Sequence, residues 1–179
     1  TLKKEGNTAG SYDNLIAVKK TDTNGKASFS ENLSAGNYEL IETGVPAGYT
    51  GNYDQKFTIS DTNKTFSVDV VNTKIYGTYT ITKKGSDGAL LSGVKFTLYD
   101  TNNTVIETKA TDKNGKVIFD KLELGTYTVK ETEGVDGYKV NDTSWTFTLT
   151  SAQSVLTKEV INQKESGQIK ITKENKDNS

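Results

Sequence analysis

The sequence lacks the residue types on which many common active sites depend. Its 179 residues include no cysteine and no histidine. These absences exclude disulfides, thiol chemistry, the usual general base and the commonest zinc ligand. We therefore predict no metal, no other cofactor and no enzyme that turns over an external substrate.

Strong charge of one sign and long hydrophobic runs are missing as well. Lysine supplies all the positive charge, and the net charge is −1 with a pI of about 5.6. We therefore predict no nucleic-acid partner. No apolar run approaches the roughly 20 residues that span a bilayer, and no signal peptide is present. We predict no membrane insertion of this fragment and expect targeting and anchoring segments to lie outside it.

The chain repeats itself at an interval of 89 or 90 residues. The matching stretches are 21–26 and 111–116, 36–43 and 125–132, and 77–83 and 167–173. These repeats predict two copies of one domain and the beginning of a third. The predicted boundaries are 1–75 for a copy that lacks its first strand, 76–165 for a complete copy, and 166–179 for the first strand of a following repeat or a tail.

Local patterns within the complete copy predict strands joined by turns. Threonine, tyrosine, valine, asparagine and glycine are abundant, and apolar residues alternate in short runs. The Asn24–Gly25 and Asn114–Gly115 pairs predict type I′ hairpins. Roughly seven strands over about 90 residues are typical of an antiparallel β-sandwich. The predicted fold class is all-β, with tandem Ig-like, transthyretin-type sandwiches.

Polar residues lie in phase with apolar ones on three predicted strands of the complete copy. Lys83 follows Tyr79 and Ile81, Glu131 follows Tyr127 and Val129, and Asn162 follows Leu156 and Val160. Because alternate side chains of a strand share a face, each polar group is predicted to enter the core with its neighbours. Burying an ammonium without a partner is costly, so the lysine in particular needs an explanation.

The first copy contains two of these three polar residues. Glu42 is in phase with Leu40. Asn72 follows a similar apolar run over 66–70, and the alternation predicts a strand over 66–72. When Leu2 is aligned with Leu98, the counterpart of Lys83 lies upstream of residue 1. Lys4 is a weaker rival, because choosing it would delete a whole strand. On this alignment the first copy has Glu42 and Asn72 but no lysine of its own.

Six short motifs follow one another along the complete copy. They are Lys83, Phe96–Tyr99, Asn114–Lys116, Gly125–Thr132, Gly137–Tyr138 and Asn162. In this order they resemble the collagen-adhesin B-type (CnaB-like) repeat domains of Gram-positive surface adhesins and sortase-assembled pilins. The turn over 133–138 departs from the family pattern, because it lacks the proline that the first copy keeps at Pro46.

This resemblance implies a spontaneous isopeptide bond between Lys83 and Asn162. Lysine would be the nucleophile, asparagine the electrophile, and Glu131 the acid/base catalyst, with Glu42 as its equivalent in the first copy. Burial would favour a neutral amine and a protonated glutamic acid. That acid would donate a hydrogen bond to the Asn162 carbonyl oxygen.

Two other interpretations of the same residues stay open. Lys83 and Glu131 could form a buried ion pair with Asn162 as a hydrogen-bond partner. Alternatively, Lys83 could extend from the strand end to water.

The C-terminal stretch suggests a further hypothesis about partners. Residues 169–173 resemble an unpaired first strand, and the first copy lacks that strand. The tail of one molecule could add to the next and bring Lys173, as donor, to Asn72, the acceptor that lacks a lysine in its own domain, forming a head-to-tail filament. The alternative is that the fragment was simply cut at these points.

At the level of function, the resemblance implies the stalk of a surface adhesin or pilin. It implies an extracellular, cell-wall-anchored protein whose partners are adjacent repeat domains. The competing hypothesis is a ligand-binding adhesin module that recognises host extracellular matrix or glycan. An exposed aromatic groove would favour that alternative.

Overall fold

The chain divides into two compact units. The computed structural model describes residues 1–29, 32–167 and 169–173. Unit 1 comprises Thr1–Ile75, and unit 2 begins at Tyr76. Both consist of strands and turns in their described residues, among which no helix is long and apolar enough to cross a bilayer. The all-β prediction is confirmed.

The described part of each unit is built from short strands. Those of unit 1 are β1 (Leu2–Lys4), β2 (Asn14–Ala17), β3 (Gly36–Ile41), β4 (Tyr49–Thr50), β5 (Asp54–Ile59) and β6 (Thr73–Lys74). Those of unit 2 are β7 (Gly77–Gly85), β8 (Lys95–Tyr99), β9 (Val105–Ala110), β10 (Lys116–Leu122), β11 (Gly125–Glu133), β12 (Ser144–Leu149) and β13 (Val155–Asn162).

Unit 2 forms the predicted sandwich from two sheets. One sheet has the order β12-β11-β8-β9, and the other has the order β10-β7-β13. Strand β7 is therefore the centre of its sheet, antiparallel to β10 and parallel to β13. The parallel pair departs from the antiparallel pattern that we predicted. It brings the C-terminal ends of the first and last strands side by side, with Val160 opposite Lys83 and Asn162 opposite Gly85.

Alternating apolar side chains from both sheets fill the core of unit 2. Phe96, Leu98 and Val129 of one sheet and Ile81 and Phe119 of the other are fully buried. Each such side chain contributes about 1.5–3 kcal/mol when removed from water. A polar residue in phase with these side chains is therefore carried into a dry interior.

The Asn114–Gly115 turn forms, but its type differs from the prediction. A type I′ turn needs positive φ at both central residues; Gly115 has a φ of 67°, whereas Asn114 does not have a positive φ. The Asp112 carboxylate accepts hydrogen bonds from the amides of Asn114 and Lys116, both at 2.8 Å. This side-chain cap stabilises a different turn, which joins β9 and β10 of separate sheets. The hairpin prediction is therefore wrong. 

Unit 1 contains a sheet equivalent to one half of the sandwich. Its strands have the order β2-β1-β3-β5, with β4 and β6 forming a separate short pair. Leu2, Tyr38 and Ile59 are its buried apolar residues. Strand β1 lies between β2 and β3 as β8 lies between β9 and β11. By this pairing Leu2, opposite Leu40, occupies the position of Leu98.

The strand predicted over 66–72 of unit 1 does not form. Residues 61–72 are described and lie outside any strand. In unit 2 the equivalent strand, β13, pairs with β7 alone. Among the described residues of unit 1 there is no counterpart of β7, so the backbone over 66–72 lacks the strand with which it would pair.

Candidate functional site

Strand β7 carries Lys83 into the core. The Lys83 N–H donates to the Gly115 carbonyl at 2.7 Å, and its own carbonyl accepts from the Leu91 N–H at 3.1 Å. These bonds fix the backbone, so the alternation of the strand directs the side chain inward after Tyr79 and Ile81. The Lys83 side chain is 0% exposed, and the ammonium does not reach water.

Two other strands bring the remaining polar residues to the same place. Glu131 lies on β11 and is 2% exposed, and Asn162 is the last residue of β13 and is 1% exposed. Because β13 runs parallel to β7, Asn162 lies two residues beyond Val160, the residue opposite Lys83. Asn162 is fixed further by its carbonyl, which accepts from the Ser86 N–H at 2.8 Å.

The three side chains form a closed polar group. Asn162 Nδ2 donates to Glu131 Oε1 at 2.5 Å, and Lys83 Nζ lies 3.1 Å from Glu131 Oε2. Lys83 Nζ also donates to Asn162 Oδ1. One carboxylate thus contacts both the amine and the amide nitrogen. We expected Glu131 to donate a hydrogen bond to the Asn162 carbonyl oxygen. In the structure Glu131 instead accepts a hydrogen bond from the Asn162 amide nitrogen, and Lys83 donates to the oxygen.

The surroundings of Lys83 favour its uncharged form. Burial lowers the pKa of Lys83, and the charge and hydrogen bond of Glu131 oppose this shift without cancelling it. A lower pKa means that less free energy is needed to deprotonate the ammonium to an amine. The amine is the nucleophilic form of lysine, so burial and reactivity point in the same direction.

A surface cluster that the sequence did not single out as functional lies beside the backbone of Gly85, the residue opposite Asn162. Asp87, in the turn after β7, accepts hydrogen bonds from Tyr138 Oη at 3.0 Å and Lys164 Nζ at 2.8 Å. The Lys164 N–H also donates to Ser86 Oγ at 3.0 Å. The hydrogen bond from Lys164 is the main cause that lowers the pKa of Asp87 to about 2. We call Asp87, Tyr138 and Lys164 the latch. Of its three residues, only Tyr138 belongs to a motif that the sequence analysis identified, Gly137–Tyr138.

Unit 1 contains the same glutamate–asparagine pair without a lysine. Asn72 Nδ2 donates to Glu42 Oε1 at 2.8 Å. Among the described residues, no group donates a hydrogen bond to the buried atoms Glu42 Oε2 and Asn72 Oδ1. Lys4, the rival candidate, bonds instead to Ser34 Oγ at 2.6 Å. Lys173 lies in an exposed segment outside any strand.

The side chains that commonly bind metal ions are not clustered in the described part of the chain. In the described part of the chain, no group of three or more acidic, histidine or cysteine side chains could hold a metal ion. The turn aspartates Asp22 and Asp112 instead accept hydrogen bonds from backbone amides.

Sequence comparison relates the chain to repeat-containing proteins of staphylococci. It is 33% identical over 165 residues to serine-aspartate repeat-containing protein D of Staphylococcus aureus, covering 77% of this chain and 12% of that protein. It is 32% identical over 140 residues to protein F of the same kind from Staphylococcus epidermidis, covering 65% of this chain and 8% of that protein. The chain thus spans about a tenth of these relatives.

Structural comparison agrees with the sandwich architecture. The Bacillus anthracis TIE protein matches with a TM-score of 0.69 and 27% identity over 80% of this chain and 28% of that one. A C-terminal fragment of the pilus adhesin SpaC from Lactobacillus rhamnosus GG matches with a TM-score of 0.59 over 94% of this chain and 90% of that one. At 16% identity, this second match indicates the fold alone. A family model covers residues 1–74 and 77–164, and the chain belongs to the SpaA prealbumin-like fold domain family.

Proposed function

We propose that unit 2 forms an intramolecular isopeptide bond between Lys83 Nζ and Asn162 Cγ. The observation that carries this proposal is the position of Glu131, whose two carboxylate oxygens contact the attacking amine and the departing amide nitrogen. A buried ion pair with Asn162 as its hydrogen-bond partner would make the same two contacts, and the loss of ammonia distinguishes it from the bond. Fixed proximity of the reactants replaces a bimolecular encounter, which can lower the barrier by about 7–11 kcal/mol.

The reaction begins with proton transfer inside the buried group. Lys83 gives one proton to Glu131 Oε2 across the 3.1 Å contact, which leaves a neutral amine and a neutral acid. The amine attacks Asn162 Cγ, and a new C–N bond forms. The bond from Cγ to Nδ2 then breaks.

Glu131 completes the transfer of protons. The attacking nitrogen loses a second proton as it becomes an amide, and Nδ2 gains one to leave as ammonia. Starting from ammonium and carboxylate, the products are the isopeptide, ammonia and one proton that remains on Glu131 or passes to the ammonia. The glutamate is a relay between two nitrogens. The event occurs once per molecule and is maturation, without turnover.

The biological role that fits this chemistry is a stalk. We propose that the two units are shaft domains of an adhesin or pilin on the extracellular surface of a Gram-positive cell, attached to the wall by segments outside this chain. Their partners would be adjacent repeat domains. Support comes from membership in the prealbumin-like family and from the tandem arrangement.

Intact mass spectrometry of the full chain tests the bond. The wild type is expected about 17 Da below its sequence mass, because one ammonia is lost. Lys83→Arg, Glu131→Gln and Asn162→Ala should keep their full sequence mass. Lys84→Arg is the matched control, since Lys84 pairs with Glu159 on the partly exposed face, and it should retain the loss. A wild type at full mass would leave only the buried ion pair.

A second candidate function is ligand binding through an aromatic groove. Tyr79, Trp145, Phe147 and Lys158 line a groove of unit 2 between β12 and β13, and Lys158 Nζ lies 5.6 Å from the centre of the Trp145 ring. Such a surface suits an extended peptide of host matrix or a glycan. Trp145 is the sole tryptophan, so its fluorescence reports binding directly. Unchanged emission on titration with matrix proteins and glycans would count against this function.

A further inference from the structure

We propose that the latch is a positioning device for bond formation. Asp87, Tyr138 and Lys164 would hold the ends of three strands together, so that the buried reactants meet. They are positioning residues, because their side chains bond to one another at the surface and not to the three buried reactants. The proposal rests on the isopeptide chemistry proposed for unit 2, and it concerns residues to which that chemistry assigns no role.

The latch and the buried site are built on the same three strands. Each latch residue lies shortly beyond a strand that carries one of the reactants. The pairs of reactant and latch residue are Lys83 and Asp87 at β7, Glu131 and Tyr138 at β11, and Asn162 and Lys164 at β13. The strands that carry the reactants therefore have a second set of mutual contacts at the surface. A shift of one of these strands against another would break those contacts.

The electrophile lies where the pairing of its strand ends. Asn162 is the last residue of β13, and its partner Gly85 is the last residue of β7. The ends of secondary-structure elements open more readily than their centres. The side chain that must meet Lys83 is therefore at the position where the β7–β13 ladder alone constrains it least.

The segment that follows β13 is held from two sides. From the turn after β7, the Ser86 N–H donates to the Asn162 carbonyl at 2.8 Å, and Ser86 Oγ accepts from the Lys164 N–H at 3.0 Å. From the loop after β11, the Lys139 N–H donates to the Gln163 carbonyl at 2.8 Å. The turn and the loop thus bind alternate residues of this segment, starting at the electrophile itself.

The carboxylate of Asp87 joins the three chain segments. It accepts hydrogen bonds from Lys164 Nζ at 2.8 Å and from Tyr138 Oη at 3.0 Å. The Tyr138 ring also lies directly against Gly85, the residue opposite Asn162. The contacts of the latch therefore reach the last pair of the ladder that carries the electrophile.

The latch should affect the rate of bond formation more than the stability of the fold. The side chains of Asp87 and Lys164 are 33% and 57% exposed, and ion pairs at such positions contribute little to the free energy of unfolding. By contrast, a displacement of about 1 Å between reactants can lower a rate by about a hundredfold. A latch that prevents only part of such a displacement should change the rate of ammonia loss by about tenfold.

Time-resolved intact mass spectrometry during refolding tests the proposal. The full chain is recovered unfolded from inclusion bodies, before any bond has formed, and is refolded by dilution while Trp145 fluorescence reports the folding of unit 2. Asp87→Asn and Lys164→Gln should fold at the wild-type rate but lose ammonia about tenfold more slowly. Tyr138→Phe loses one hydrogen bond and should have a smaller effect in the same direction. Lys164→Arg keeps a cation beside Asp87 and should restore the wild-type rate.

Two further comparisons separate the latch from a general effect of surface charge. Lys139→Gln is the matched control, because Lys139 is an exposed neighbour of Tyr138 and bonds to Gln163 through its backbone. It should react like the wild type. Asp87→Asn combined with Lys164→Gln should be no slower than either substitution alone, since both remove the same ion pair. High salt should slow the wild type toward the rate of this double variant.

The outcomes distinguish this proposal from the one for the bond itself. A wild type that keeps its full sequence mass overturns the bond, and the positioning role of the latch with it. A wild type that loses ammonia no faster than Asp87→Asn and Lys164→Gln overturns the role of the latch alone. Folding that slows by the same factor as ammonia loss also overturns that role, because the latch would then act on folding and not on the reactants.

Discussion

A carboxylate that contacts both an amine and an amide nitrogen differs from one that only neutralises a cation. Glu131 bridges Lys83 and Asn162 at 3.1 and 2.5 Å, and the fully buried site gives no water access to either contact. A buried ion pair alone often brings little net stability. At the scale of single residues, the proposed proton relay gives each of the two Glu131 oxygens a role.

Asp87 provides a test of the latch by pH. Its pKa is lowered from 3.8 to about 2 in the folded chain, so the unfolded chain binds more protons between these values. The latch therefore stabilises the fold above about pH 4 and loses this contribution as the pH falls toward 2. Thermal unfolding from pH 2 to 5 should show a larger acid-dependent loss for the wild type than for Asp87→Asn.

The control for this measurement is Asp136→Asn, which removes a carboxylate outside the latch. It should follow the pH dependence of the wild type. Equal acid sensitivity in the wild type and Asp87→Asn would contradict a role of the latch carboxylate in stability.

The prediction that three polar side chains enter the core rested mainly on the alternation of side chains along strands. Lys83, Glu131 and Asn162 each continue an apolar face, and the period of two residues is enough to send them inward. The orientation of the Asn162 amide does not follow from that period, because either its oxygen or its nitrogen could face Glu131. The latch was also missed, since Asp87 and Lys164 are polar residues of turns and have no periodic signal.

At the scale of the strand, the register of β7 and β13 determines whether the reactants meet. Asn162 lies opposite Gly85, and there the Tyr138 ring passes close to the backbone. A Cβ at Gly85 would lie 2.5 Å from Asp87 Oδ1 and 2.9 Å from Tyr138 Cζ. The glycine thus leaves room for Tyr138 and Asp87 beside the residue opposite Asn162.

Gly85→Ala should consequently weaken unit 2. The added methyl group must displace Tyr138, and such overpacking costs about 1–3 kcal/mol. We expect a lower melting temperature and slower loss of ammonia after refolding. Tyr138→Ala in the same chain should relieve the clash, so the effects of the two substitutions should not be additive.

Gly167→Ala is the corresponding control, because no atom lies within 4 Å of a Cβ at that position. It should leave the melting temperature unchanged. Additive effects of Gly85→Ala and Tyr138→Ala would show that the two positions do not interact.

Sequence patterns predicted strand positions better than strand partners. Alternation is the same in parallel and antiparallel pairs, so the sequence did not distinguish the parallel pairing of β13 with β7. The prediction of a type I′ turn at Asn114–Gly115 was wrong because the Asp112 side chain accepts hydrogen bonds from two backbone amides. The prediction of a strand over 66–72 failed for a different reason. The apolar pattern is a local property of the sequence, whereas a strand is stable only when a neighbouring strand pairs with it.

At the scale of the whole molecule, the proposed bond joins the first and last strands of unit 2. It would enclose a loop whose ends are 79 residues apart. By analogy with a disulfide, the loss of chain entropy in the unfolded state corresponds to about 4–5 kcal/mol of stabilisation. The bond needs no oxidising compartment, which suits a chain without cysteine.

Pulling the full chain from its two ends tests the mechanical consequence. If Lys83 and Asn162 are joined, tension passes through the bond, and the 79-residue segment between them does not extend. Lys83→Arg should release that segment and lengthen the unfolded chain by roughly 280 Å at full extension. The measurement is single-molecule force spectroscopy, with Lys84→Arg as the control that should behave like the wild type. Unit 1 is unlinked in the monomer and gives the same extension step in all three chains. A wild-type chain that also releases the additional 280 Å would show that unit 2 bears load through its hydrogen bonds alone.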